Sequence, residues 1–84
     1  MITLSRKPQV LKCLGISKST LHNRINDDLM TPPISIGERA VAWPSNEIES
    51  LVNAQIAGKS QDEIKLLVKV LIKNRQQEVL YNEK

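Results

Sequence analysis

Lys18, Ser19, His22 and Asn23 stand close together, opposite Leu21, Ile25 and Leu29, whose four-residue repeat marks one apolar stripe of a helix. With that stripe turned to the core, the four polar residues face outward, and their chemistry suits DNA. Lysine reaches guanine acceptors, asparagine pairs bidentately with adenine, and serine serves either base. The free N–H groups of a first helical turn also favour a phosphate. Thr20 belongs to the same turns as a further candidate contact, and Arg24 lies beside the stripe, within reach of a phosphate or the core edge. Any solvated helix presents a polar outer face, so the surrounding elements must decide what this one does.

The stretch Ser5 to Leu14 predicts a first helix, with Pro8 in its first turn and Val10, Leu11 and Leu14 as its apolar face. Gly15 offers a left-handed stop, and Ser17 offers the N-cap of the second helix, which runs from Lys18 to about Asn26 and closes near Asp28. Two helices joined by so short a turn are a helix-turn-helix by spacing. Pro32 and Pro33 then force extended chain. Ile34, Ile36, Val41 and Trp43 alternate as two strands around a Gly37, Glu38, Arg39 turn, with Trp43 as anchor. Arg39 at this tip is the natural wing contact, because a narrow minor groove attracts arginine.

A third helix is predicted after Pro44, capped by Ser45, with Ile48, Leu51, Val52, Gln55 and Ile56 as its stripe and Gly58 as its stop. Ser60 to Glu63 matches a capping box, opening a fourth helix to about Gln77 with a frayed end. Its stripe of Ile64, Leu67, Val68, Leu71 and Ile72 suits core packing or a homodimer seam. The expected fold class is therefore mainly α with a small β-hairpin: a winged helix-turn-helix over residues 1–59, extended by a C-terminal helix over residues 60–84.

Charge favours a polyanionic partner. The net charge of +3 is concentrated at the N-terminus, where Arg6, Lys7, Lys12, Lys18 and Arg24 meet no acid before Asp27. Arg6, Lys7 and Lys12 are candidates for phosphate contacts, which position a protein without reading sequence. With no Phe, one Trp and one Tyr, the chain has few platforms on which single-stranded bases could stack.

Enzymatic readings find little support. His22 is the single histidine, with no second ligand type spaced to hold a metal beside it. Cys13 is the single cysteine and is expected to be an inert thiol on the buried side of the first helix. No glycine-rich phosphate loop is present. No catalytic residue, metal or cofactor is expected. The absence of a long apolar run or signal-peptide pattern predicts a cytoplasmic protein, gathered on the nucleoid if it binds DNA.

The ordered set LGISKSTLHNRI and PPISIGERAVAWPSNEIESLV resembles the AlpA family of phage and prophage regulators. Its elements here are Gly15 to Leu21, Pro33, Gly37 to Arg39, Val41 to Trp43, and Ser45 to Leu51. That family is similar in fold to the DNA-binding domains of the MerR group and to small phage excisionases. The resemblance implies a winged helix that binds double-stranded DNA, with Lys18, Ser19, His22 and Asn23 on the recognition helix and Arg39 on the wing.

Three functions follow as expectations. The first is a transcriptional regulator of prophage genes, working with RNA polymerase or a phage integrase. The second is an excisionase-like architectural factor that bends DNA for a recombinase. The third, from another class, is a protein-interaction module using the C-terminal apolar stripe.

Overall fold

The computed structural model describes residues 1–82, with side chains through Arg75. The chain opens with a two-residue strand, β1 (Leu4–Ser5), ahead of the first helix, α1 (Lys7–Leu14). Ser5 therefore does not start the helix, as its sequence neighbours suggested. It pairs antiparallel with Trp43 and is buried. Two further bonds hold the segment extended: Thr3 N–H donates to Ser45 Oγ at 2.8 Å, and Ser45 N–H donates to the Thr3 carbonyl at 2.7 Å. These partners lie some forty residues away, where local periodicity has no view of them.

Gly15, with φ 67° and ψ 37°, ends α1, and the Ile16 N–H closes back on the Leu11 carbonyl at 3.1 Å. This is a Schellman closure, which needs a left-handed residue just past the helix. Three residues later α2 (Lys18–Asn26) begins. It ends in the same closure, here built on an aspartate. Asp28 takes φ 62° while Leu29 N–H donates to the Arg24 carbonyl at 2.8 Å. Aspartate tolerates this conformation better than most side chains do.

The wing is formed by β2 (Ile34–Gly37) and β3 (Ala40–Pro44). The expected hairpin is part of a three-stranded antiparallel sheet of order β1-β3-β2, because the N-terminal strand adds to its other edge. Ser35 pairs with Val41 and Gly37 with Ala40, which leaves Ile36 as an extra residue outside the ladder and exposed.

Helix α3 (Ser45–Ile56) has Pro44 at its N-cap and no side-chain cap. Ser45, expected to cap it, spends its hydroxyl on Thr3 instead. Ile56, expected within the apolar stripe, is 79 % exposed, whereas Glu47 is buried. Helix α4 (Gln61–Asn82) opens with the expected capping box: Ser60 N–H donates to Glu63 Oε1, and Glu63 N–H to Ser60 Oγ, both at 3.2 Å. The Ser60 N–H, then its hydroxyl, holds the Glu63 carboxyl below its ordinary pKa. The helix runs to Asn82, past its expected end near Gln77 and through residues expected to fray, and the last two positions lie outside the described residues.

One core joins these elements: Val10 of α1, Leu21 of α2, Met30, Trp43 of β3, Ile48 and Leu51 of α3, and Val68 and Leu71 of α4. Trp43 is the anchor, fully buried, with Nε1 donating to the Thr31 carbonyl at 2.9 Å. Ile64, Leu67 and Ile72 pack partly buried against this cluster, so the α4 stripe serves the chain's own core. The architecture is the expected winged helix-turn-helix with an added C-terminal helix. Among the described residues, no helix is long and apolar enough to cross a membrane.

Candidate nucleic-acid interface

Helix α2 is held by one face and offers the other. Leu21 is 1 % exposed within the core, and Ile25 is half-buried behind it. Lys18, Ser19, His22 and Asn23 are all exposed. Asn26 is exposed as well, and sequence reasoning passed over it. It extends the ridge Ser19, His22, Asn23, Asn26 at positions i, i+3, i+4 and i+7, the spacing of a single helix face. The same periodicity that located the apolar stripe could have found it.

A cluster of hydroxyls shapes the start of this helix. Ser17, with φ −84° and ψ 166°, is the N-cap, and its Oγ accepts from the Thr20 N–H at 3.2 Å. The Thr20 hydroxyl lies 2.9 Å and the Ser19 hydroxyl 3.3 Å from the same oxygen. Thr20 is half-buried, so its hydroxyl belongs to the cap, whereas Ser19 remains at the surface. Other N–H groups of the first turn stay free of intrahelical partners, as at any helix start.

Arg24 lies on the other flank of α2. It is half-buried and lines a cleft with Leu14, Leu29, Gln55 and Gln61, toward α3 and α4. This sets it apart from the outward ridge. Arg39 is exposed at the wing tip with φ 60°, a left-handed conformation unusual for a long side chain. It forms no ion pair among the described residues, including with its neighbour Glu38.

Arg6 and Lys12 are exposed at the two ends of α1, and Lys7 is half-buried. Cys13 departs from expectation, for its thiol is exposed. It borders a groove with Ser5, Gln9, Ile48 and Val52 between α1 and α3. The apolar face of α1 centres on Val10 and Leu14, and Cys13 falls at its edge. Among the described residues, no group of three His, Cys, Asp or Glu side chains could hold a metal ion.

This arrangement can place a polar helix face and a cationic loop tip against a polyanion. The family model described as prophage CP4-57 regulatory protein (AlpA) matches residues 3–56. An uncharacterized protein, ORF88, of Enterobacteria phage P4 is 32 % identical over 56 residues, 67 % of this chain. The match spans 64 % of that curated relative's length. No solved structure matches the chain significantly. Helix α4 lies beyond the segment matched by the family model.

Proposed function

The chain belongs to the AlpA family of prophage regulatory proteins, and on that premise we propose that it is a sequence-specific double-stranded DNA-binding regulator of prophage genes. The observation that carries this reading is the outward face of α2, where Lys18, Ser19, His22 and Asn23 are exposed while Leu21 is locked in the core behind them. In this reading α2 enters the major groove, where these four side chains and Asn26 meet base edges and phosphates. Arg39 reaches the flanking minor groove from the wing. Arg6, Lys7 and Lys12 add phosphate contacts that set the register. Thr20 contributes by organising the first turn, and Arg24 by supporting the helix flank.

Val68 and Leu71 are buried in the chain's own core. A single copy therefore presents one reading helix and one wing without help from a dimer seam along that stripe. RNA polymerase or a phage integrase would be met by surfaces left free on the bound protein.

The reading is tested by incubating purified protein with fragmented host and prophage DNA, then sequencing the retained fragments at two salt concentrations. A recurrent motif near prophage promoters, bound with a steep salt dependence, is expected. Phased motifs across an attachment site, with strong bending, would convert the assignment to an excisionase-like factor. No enrichment by folded protein would overturn DNA binding altogether.

A further inference from the structure

Helix α4 carries a second cationic feature, separate from α2 and the wing. From Ile64 to Gln77 the sequence holds four basic residues and no acid. Arg75 is turned inward and paired with Glu47. The other three, Lys65, Lys69 and Lys73, recur at a spacing of four and are all exposed. Among the described residues no carboxylate pairs with any of them. At a rise of about 1.5 Å per residue, the row covers about 12 Å of helix. One DNA strand carries a charge about every 3.4 Å along the axis, so such a row matches a short run of phosphates.

Helix α4 is also fixed beside the elements that meet DNA in the proposed function. Its first turns, through Gln61 and Ile64, border the cleft that holds Arg24 and Leu29 at the end of α2. Toward its other end, Arg75 reaches the Pro32 carbonyl ahead of the wing strand β2. The helix thus runs from the end of the reading helix to the root of the wing, held by Val68 and Leu71 in the core.

We propose that Lys65, Lys69 and Lys73 form an additional phosphate-binding row that lengthens the DNA footprint beyond α2 and the wing. This rests on the DNA-binding reading above and adds to it a contact from a helix outside the family match. Lysine suits this role because a flexible ammonium meets phosphate without directional demands. A protein partner fits the face less well. Leu66 and Val70 are its exposed aliphatic residues, whereas a stable protein interface buries about 800 Å² per partner around an apolar centre. A second copy of the same helix would set lysines against lysines.

The test uses the full chain and a fluorescent duplex bearing its selected motif with natural flanks, titrated from low to moderate salt. Replacing all three lysines by glutamine should lower the slope of log affinity against log salt by about 2 to 3. The ranking of motif variants should stay the same. The triple Lys→Arg variant should keep the original slope, and Lys59→Gln, outside the row, should change it little. An unchanged slope in the triple glutamine variant, with specific binding intact, would overturn the row while leaving the DNA reading in place. Failure of the unaltered chain to bind any duplex would remove both.

Discussion

Arg75 grips Glu47 with a forked pair of hydrogen bonds. Its Nε donates to Oε2 and its Nη2 to Oε1, each at 2.5 Å. The same Nη2 also donates to the Pro32 carbonyl at 2.9 Å. Glu47 sits in the first turn of α3 and is only 2 % exposed. One guanidinium therefore joins α4, the start of α3 and the segment that leads into the wing. On the neighbouring residue, Trp43 Nε1 holds the Thr31 carbonyl. The root of the wing is fixed from two sides, by β3 and by α4.

Removing Arg75 should be costly. Arg75→Ala leaves a buried carboxylate without its counter-charge, a change that typically destabilises by about 3–5 kcal/mol. Replacing both partners with apolar residues, as in Arg75→Met with Glu47→Leu, should restore most of that loss, because no buried charge then remains. Urea unfolding followed by circular dichroism provides the comparison. A loss of under about 1 kcal/mol in Arg75→Ala would place the pair among weak surface bridges.

Thr31 offers the opposite experiment. Its residue is fully buried, and its Oγ1 has no hydrogen-bond partner among the described residues. Thr31→Val keeps the shape and removes an unsatisfied hydroxyl, so the protein should gain about 1 kcal/mol of stability. The Trp43 bond uses the Thr31 carbonyl and would survive the change. A lower melting temperature for the valine variant would mean that the hydroxyl has a partner after all.

Much of this design was legible in the sequence because it is local. Gly15, Ser17 and the SQDE box set helix ends through bonds to residues a few positions away. The Leu21 repeat marks the inward face of α2, whereas the Ile34 to Trp43 alternation holds only in part, because the irregularity at Ile36 leaves that residue exposed and Ala42 is buried beside Trp43. Long-range partners were invisible. Ser5 became a strand because Trp43 pairs with it, and Ser45 lost its capping role to Thr3. Glu47 is an acid in the first turn of α3, and its burial depends on a partner, Arg75, nearly thirty residues further along the chain. At the candidate site, periodicity places Lys18, Ser19, His22 and Asn23 on the outer face of α2, where the structure has them exposed together with Asn26. Thr20 and Arg24 are candidates by their place in the same turns, yet the Thr20 hydroxyl joins the cap and Arg24 lines the cleft toward α3 and α4.

The wing tip should show a trade between stability and binding. Arg39 holds φ 60°, which costs a non-glycine residue about 1–2 kcal/mol. Arg39→Gly removes that strain, so the folded protein should become more stable by about 0.5–1 kcal/mol, after allowing for glycine's greater freedom in the unfolded chain. Affinity for the selected DNA motif should fall at the same time, through loss of one cationic contact. Paired thermal melts and DNA titrations give both readings. A glycine variant that binds as tightly as the parent would show that the wing tip does not touch DNA.

The decisive substitutions lie on α2. Lys18 and Asn23 are exposed, whereas the helix is fixed by Leu21, Ile25 and the Ser17 cap. Neither side chain holds the fold, so Lys18→Ala combined with Asn23→Ala should leave the far-UV circular dichroism and the melting temperature close to those of the parent. Each lost base contact typically costs about 1–3 kcal/mol of discrimination. Specific binding should therefore drop by about 10² or more, while residual non-specific binding persists through the remaining cations. The two single variants separate the roles. Asn23→Ala should relax the preference at one base pair, and Lys18→Ala should either do the same at another or, if it meets a phosphate, weaken all sequences alike and lower the salt slope by about 1. A double variant that folds normally and still selects the same motif with the same affinity would move the reading surface off α2, and with it the assignment of this helix to the major groove.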